Sequence, residues 1–415
     1  MSNLGFMEKL LDGADVEWKP LKDVLNRTKG TKITAGQMKT LHKDKAPLKI
    51  FAGGKTFAFV DFKDIPEKDI NREPSIIVKS RGVIEFEYYD KPFSHKSEMW
   101  SYHSDGSAIN VKYAYHYLKM SEPHFQNVGS KMQMPQIATP DTDKFEIPIP
   151  SPDNPEKSLA IQAEIVRILD TFTALTTELT TELTARKKQY NYYRDQLLSF
   201  ENGEVEWKPL GDIGEFIRGK RFTKKDFVTD GGVKVIHYGE IYTHYGTSAT
   251  HAISQVRSDL EGSLRFAEPN DVIVSSVSET IEDVGKAVAW LGEDKVAIHD
   301  DSYAIRHSLN PKYLSYCLQT ENFTMQKVKH VSRGKVKRLL IDGVSKVKIP
   351  VPFPNDPKKS RIEQDRIVAI LDKFDTLTNS ISEGLPREIE LRQKQYEYYR
   401  NLLLSFPRPE VTGGM

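Results

Sequence analysis

One cysteine, Cys317, stands in a chain of 415 residues. A disulfide framework and a thiolate zinc site built from this chain alone are therefore excluded, and a reducing compartment is expected. Neither sign of charge is in excess: 59 lysines and arginines face 58 aspartates and glutamates, for a formal net charge of +1. The total argues neither for nor against a polyanionic partner, so the distribution of charge has to decide. No apolar run approaches the roughly 18 residues of a membrane helix, and residues 1–25 hold no stretch of signal-peptide character, so a soluble, cytoplasmic protein is expected.

Catalytic signatures are missing too. The chain has no phosphate loop of Walker spacing, no His-Glu-x-x-His helix and no nucleophile elbow. Phe51-Ala-Gly-Gly-Lys-Thr-Phe57 puts glycines beside a lysine without the required spacing, and reads as a β-turn between strands. Asn154-Pro155 continues with Glu-Lys, where an adenine- or cytosine-methylating enzyme is expected to continue with a second proline and an aromatic residue; it reads as connecting strap. His299-Asp300-Asp301 has metal-ligating residue types but reads as a solvated acidic turn, and Cys317 as a small core residue of a helix. The chain is expected to catalyse nothing.

What the sequence does contain is itself, twice. Arg186-Lys-Lys-Gln-Tyr-Asn-Tyr-Tyr-Arg-Asp-Gln-Leu-Leu-Ser-Phe200 returns as Arg392-Gln-Lys-Gln-Tyr-Glu-Tyr-Tyr-Arg-Asn-Leu-Leu-Leu-Ser-Phe406, with eleven of fifteen positions identical. Upstream, Phe145-Glu-Ile-Pro-Ile-Pro150 matches Val347-Lys-Ile-Pro-Val-Pro352, and Ile165-Val-Arg-Ile-Leu-Asp-Thr-Phe172 matches Ile367-Val-Ala-Ile-Leu-Asp-Lys-Phe374. Val16-Glu-Trp-Lys-Pro-Leu21 and Val205-Glu-Trp-Lys-Pro-Leu210 open the segment that follows in each half. The chain is thus two copies of one unit, each a variable body, a proline-rich strap and a long helix. Met7-Glu-Lys-Leu-Leu-Asp12 resembles the end of the first long helix, so the order is nearly circular.

Ile161, Ile165, Ile168, Phe172, Leu175, Leu179, Leu183, Arg186, Tyr190, Tyr193 and Leu197 recur at spacings of four and three, the seam of a coiled coil. A continuous helix from 159 to 199 would span roughly 60 Å, enough to act as a spacer as well as a core element. In the second half Ile367, Phe374, Leu377, Tyr396, Tyr399 and Leu403 fill the corresponding packing positions, and Gly384-Leu-Pro386 predicts that one helix stops and another starts with Pro386 in its first turn. The tyrosines are expected in the intramolecular seam, with a partner helix as the alternative.

The divisions expected are a short segment at 1–14, a first body at 15–145, strap and central helix at 146–203, a second body at 204–347, strap and C-terminal helices at 348–406, and a tail at 407–415. Strands are predicted at Ser75-Ile-Ile-Val-Lys79, Val83-Ile-Glu-Phe-Glu-Tyr88, Val233-Lys-Val-Ile-His-Tyr238 and Asp271-Val-Ile-Val-Ser275. Helices are predicted at Val111-Lys-Tyr-Ala-Tyr-His-Tyr-Leu118 and near Pro311-Lys-Tyr-Leu-Ser-Tyr-Cys-Leu318. The bodies are therefore mixed α and β, and they share little interior sequence.

Positive charge is clustered. Lys327, Lys329, Arg333, Lys335, Lys337 and Arg338 run without an intervening acid, as expected of an edge or loop facing a linear polyanion. Arg218, Lys220, Arg221, Lys224 and Lys225 form a second run, and Arg27, Lys29, Lys32, Lys39, Lys43, Lys45 and Lys49 a third, opposed only by Asp44. A solvated surface explains any one run, but these recur after Trp-Lys-Pro-Leu in both halves. Phosphate neutralisation carries no sequence information. Candidate base readers are Lys55, Gln133 and Gln136 in the first body and Arg218, Arg221, His237 and Arg333 in the second. His237-Tyr-Gly-Glu-Ile-Tyr242 reads as a short polar-patterned strand. Lys335, Lys337 and Arg338 are expected as phosphate anchors.

The paired straps, the Ile-Val-x-Ile-Leu-Asp helices, the Tyr-rich tails and the near-circular order together resemble the DNA specificity subunit of type I restriction-modification enzymes, in the subgroup with tetrapeptide repeats in the central helix. The resemblance covers essentially the whole chain. It implies an α+β fold of two mixed α/β target-recognition domains separated by two long antiparallel coiled-coil helices in a pseudo-two-fold repeat. Each domain would read one half of a split DNA site. Two methyltransferase subunits would dock on the helices and motor-nuclease subunits would join for cleavage, with S-adenosylmethionine, ATP and Mg2+ held by those partners. Thr176-Thr-Glu-Leu179 followed by Thr180-Thr-Glu-Leu183 is the repeated tetrapeptide. Four residues turn a helix by a net ~40°, close to the ~35° of one base pair, so each copy is expected to work as a unit of length, against the plainer reading of a surface duplication without a role. The competing readings are a coiled-coil adaptor whose heads bind proteins, and a self-sufficient nuclease or methyltransferase built from scattered carboxylates.

Overall fold

The strap strands show why each half folds as it does. In a computed structural model that describes residues 10–11, 13–130, 133–200, 204–380 and 382–408, Val16–Pro20 pairs antiparallel with Glu146–Pro150, placing Trp18 opposite Pro148. Val205–Pro209 pairs in the same way with Lys348–Pro352, placing Trp207 opposite Pro350. Alternating prolines cannot donate to a second neighbour, so each ribbon stops at two strands. Two units divide the chain, Met1–Thr177 with Leu391–Met415 and Glu178–Glu390.

In the first unit a four-stranded antiparallel sheet runs in the order Asn26–Lys29, Trp100–His103, Ser75–Lys79, Glu85–Tyr89. Helix Val111–Met120 packs on it, started by the Asn110 side chain, which accepts from the amides of Lys112 and Tyr113. Its buried face of Tyr113, Tyr117 and Leu118 shares one core with Ile76, Val78 and Phe86 of the sheet and with Ile165, Leu169, Leu403 and Phe406 of the long helices and their tail. A three-stranded sheet, Phe57–Val60, Leu48–Phe51 and Phe93–His95, has a core of its own around Met38, Leu48, Ile50 and Ile65. Its hairpin is closed by the Gly-Gly-Lys stretch expected as a β-turn, with Gly54 at φ +64°.

The second unit repeats the main sheet in the order Gly214–Arg218, Ser302–His307, Val272–Ser275, Ala287–Trp290, Ser248–Ala249, and packs Pro311–Cys317 on it. Its other sheet differs: five short strands, Phe227–Val228, Ser254–Val256, Val233–Ile236, Val296–Ile298 and Phe266–Ala267. The bodies therefore share an inner sheet and helix that their sequences conceal, and differ in what is built outside it. Cys317 is buried in this core.

The repeat extends to single contacts. Asn110 N donates to Gln162 Oε1 (2.8 Å) and Asn310 N to Gln364 Oε1 (2.7 Å). Tyr113 Oη donates to Pro148 O (2.8 Å) and Tyr313 Oη to Pro350 O (3.0 Å). Lys112 pairs with Asp170 (2.7 Å) and Lys312 with Asp372 (2.9 Å). Each body is thus fastened to its strap and long helix by the same set of bonds.

The central helix runs Pro155–Leu197, 43 residues, and so starts four residues before the expected boundary. Asn154-Pro155 opens the helix instead of belonging to the strap, because Asn154 Oδ1 accepts from the Lys157 amide (3.0 Å) and proline suits the first helical position. The later helices are Pro357–Asn379 and Gly384–Leu403, interrupted where expected. Gly384, at φ +78°, lies so close to the end of the preceding helix that a Cβ would collide with the Thr376 carbonyl oxygen. The predicted turn at 7–12 lies outside the described residues except for Leu10 and Leu11, which are helical. In the first unit Trp18 Nε1 donates to Pro407 O (3.2 Å) and the Arg408 guanidinium covers the indole at 4.4 Å. The corresponding tail and strand of the second unit, around Leu198 and Val205, are joined by a few residues of continuous chain. No helix among the described residues is long and apolar enough to cross a membrane.

Candidate nucleic-acid interface and helical spacer

In the first head several cations are already neutralised from within. Lys43 is paired with Asp61, Lys49 with Glu87 (3.2 Å), and Arg27 with Asp143 (3.1 Å). Lys49 is also covered by the rings of Phe51, Phe57 and Tyr89, so it serves the fold. Of the basic run and Lys55, those exposed and without an ion pair among the described residues are Lys29 on an edge strand, Lys32 and Lys39 flanking and within helix Ala35–Leu41, Lys45, and Lys55 at the tip of its hairpin. Gln133 and Gln136 are exposed, and Gln136 bridges to Arg81.

In the second head Arg218 ends the inner-sheet strand that corresponds to the one carrying Arg27. Lys220 and Arg221 follow it on an exposed loop, and Lys224, also exposed, opens the 3-10 turn Lys224–Asp226. The run 327–338 is not a single edge. Lys327 closes helix Glu321–Lys327, is 2% exposed, and donates to the carbonyls of Glu282 and Val284 (2.7 Å each). It is therefore withdrawn as a DNA contact: its ammonium caps buried carbonyls, and burial pushes its pKa down to about 8. Lys329, Arg333 and Lys335 are exposed without an ion pair among the described residues. Lys337 and Arg338 form a short strand beside Val277–Ser278, and Arg338 pairs with Asp301 (3.2 Å).

His237 is also corrected. The strand ends at Ile236, and His237 caps helix Tyr238–Thr243, its Nδ1 accepting from the Gly239 amide (3.1 Å). With Glu240 bonding back to the His237 amide, the local bonds favour a helix start over a continued strand. His237 lies against His299 and Tyr238, at ring-centroid distances of 4.7 and 4.4 Å. Burial, followed by the neighbouring His299, holds its pKa below the usual imidazole value. His299 is buried, with Nε2 donating to Phe222 O (3.2 Å) and Nδ1 accepting from the Asp301 amide (3.1 Å). The His299-Asp300-Asp301 cluster is therefore a braced loop in which both imidazole nitrogens are already used. The solvated-turn reading holds only for its half-buried carboxylates.

Along the helices, Ile165, Ile367 and Leu403 are fully buried. Phe172 stacks on Tyr399 (5.1 Å), and Phe374 on Tyr190 (6.5 Å) and Tyr193 (5.6 Å). Tyr396 Oη bonds to His116 Nδ1 (3.1 Å). These tyrosines therefore meet partners inside their own units. Leu175, Leu179, Leu183 and Leu197 are half-buried. Leu377 is corrected: it is 36% exposed, because the inward face continues from Phe374 at a spacing of four, to Thr378, which is fully buried. Leu169 and Leu198, buried beside the expected seam, were not anticipated. Nor were Asn110, Gln162, Asp170 and their counterparts Asn310, Gln364 and Asp372. The signal for them lay in the repeat, since Ser158 and Gln162 recur as Ser360 and Gln364 at identical spacing.

The similarities to known proteins follow the same division. The family described as "Type I restriction modification DNA specificity domain" matches residues 14–187 and again 202–391. The EcoR124I/EcoR124II specificity subunit of Escherichia coli is 39% identical over 422 aligned positions, covering 99% of this chain and 100% of that protein. A putative type I restriction enzyme specificity subunit of Haemophilus influenzae is 32% identical, covering 98% and 99%. The crystal structure of the type I S subunit from M. genitalium superposes with a TM-score of 0.55 at 16% identity, covering 96% of this chain and 98% of that one. A chain from a structure of type I restriction-modification complex assembly gives a TM-score of 0.56 at 14% identity, covering 94% and 98%. With two family matches on two equivalently built units, the chain belongs to the DNA specificity subunits of type I restriction-modification enzymes.

Proposed function

We propose that each head reads one half of a bipartite double-stranded DNA site, that the helices set the distance between the halves, and that the chain itself performs no chemistry. Methylation and cleavage then fall to partners: two methyltransferase subunits on the helical region and motor-nuclease subunits in the full assembly, working in the cytoplasm. S-adenosylmethionine, ATP and Mg2+ belong to those partners. The observation that carries this reading is the doubled attachment of head to strap and helix by Asn110, Tyr113 and Lys112 and by Asn310, Tyr313 and Lys312, beneath dissimilar outer sheets. Identical mounts for unlike heads suit a device that places two different readers in one fixed relation. The likeness of the fold to a chain from a type I restriction-modification assembly supports the choice of partners.

The spacer is tested by deleting residues 180–183, one Thr-Thr-Glu-Leu tetrapeptide, and measuring methylation by the reconstituted complex on sites that differ only in spacer length. A shift of the preferred spacer by about one base pair is expected, since four helical residues and one base pair rotate by nearly the same angle. An unchanged preference would sink the idea of the helix as a gauge. The protein-adaptor alternative predicts no salt-dependent DNA affinity, whereas phosphate contacts weaken steeply as salt rises.

A further inference from the structure

The second head contains a cavity of about 260 Å³ whose wall includes Arg218, Ser276, Asp300, Ser302, Tyr303 and Arg338. Arg218 and Arg338 come to it from strands far apart in sequence, and one loop orients both. Arg218 Nε donates to Asp300 O (3.4 Å), and Arg338 Nη1 pairs with Asp301 Oδ1 (3.2 Å). The loop is held in turn: Asp301 N donates to His299 Nδ1, and Asp301 O accepts from Ser276 N (2.8 Å). Arg338 nevertheless keeps half of its side chain exposed. The hydroxyls of Ser302 and Tyr303 are buried without a partner among the described residues.

Charge separates two uses for such a site. Asp300 and Asp342 line it and the Asp301 carboxylate pairs with Arg338, so three acidic residues stand at the site against two arginines. A phosphate there would meet net negative charge. A base-pair edge is uncharged and presents donors and acceptors side by side, as this wall does. Guanine O6 and N7 accept the two-pronged arginine fork, and cytosine N4 donates to a carboxylate. Lys329 and Lys335, exposed and without an ion pair among the described residues, meet the simpler demand of a phosphate anchor.

We propose that this cavity reads one G·C pair in the half-site of the second head, with Arg338 donating to guanine, Asp301 fixing the fork, and Arg218 as the adjoining donor. This moves Arg338 from the anchors to the readers, and it rests on the reading of the heads as DNA-binding. The test is a randomised-site methylation assay with the reconstituted complex, comparing wild type, Arg338→Lys, Asp301→Asn and Lys335→Ala. Arg338→Lys keeps the charge and loses the fork, so discrimination for G should fall roughly 5- to 150-fold at one position of one half-site, with the other half-site unchanged. Asp301→Asn should relax the same position, and Lys335→Ala should weaken all sites alike. An unaltered base preference in both Arg338→Lys and Asp301→Asn, while wild type still modifies a defined bipartite site, overturns the proposal alone. A wild-type complex with no bipartite preference overturns the DNA-reading assignment along with it.

Discussion

Asp372 fastens the second head to its helix, and its replacement by alanine is expected to loosen that joint by about 2–3 kcal/mol. The carboxylate accepts from the Tyr316 hydroxyl at 2.7 Å and pairs with Lys312 at 2.9 Å. Tyr316 is fully buried, and burial together with this bond pushes its pKa well above that of a free phenol. In Asp372→Ala the hydroxyl is stranded, at a cost of about 1–3 kcal/mol. Lys312 is 28% exposed and its partner 35%, so losing that pair adds only about 0.5 kcal/mol. Tyr316→Phe removes the donor and lets the half-exposed carboxylate turn to water, costing about 1 kcal/mol. In the double variant no hydroxyl remains to be stranded, so the effects should fall short of additive by about 1–2 kcal/mol. Because two units need not unfold together, the measurement is amide hydrogen exchange in helix Pro311–Cys317, with helix Val111–Met120 of the first unit as an unchanged internal reference. Additive single effects, or equal loss of protection in both helices, would refute the reasoning.

Two further outcomes follow from buried and exposed titratable groups. Lys327→Met should leave the salt dependence of DNA binding unchanged, whereas Lys335→Ala should reduce its slope by about 0.9 if that lysine meets a phosphate; equal effects on the log affinity against log salt plot would contradict the separation of the two. His307 has both ring nitrogens sealed from water, and burial pushes its pKa down to about 4. In the unfolded chain it titrates near 6.5. Between those values the unfolded state holds the proton and the folded state does not, so stability is fully present above about pH 6.5 and falls on acidification towards pH 4, by up to about 1.4 kcal/mol per pH unit. His307→Phe should flatten that part of the profile of melting temperature against pH, and an identical profile would remove His307 as the cause.

Much of the architecture was legible in one dimension because it repeats or is periodic. Two copies of Val-Glu-Trp-Lys-Pro-Leu and of the Tyr-rich tail define two units, the three-and-four spacing defines a long helix, and Gly384-Leu-Pro386 defines its interruption. These are local preferences of backbone angle and burial, which neighbouring residues express on their own. Tertiary structure decided what local pattern cannot. Lys327 and Lys335 belong to one basic run, yet the first is sealed under two carbonyls and the second is exposed. Leu377 is the better hydrophobe by composition, but the direction in which the helix meets its core buries Thr378 instead. The contact of Trp18 with Pro407 spans 389 residues of sequence, and the pairing of Arg338 with Asp301 joins separate parts of the second head. Such contacts depend on which surfaces the packed elements bring together, and a charge or a ring has no local signature of the partner it will find.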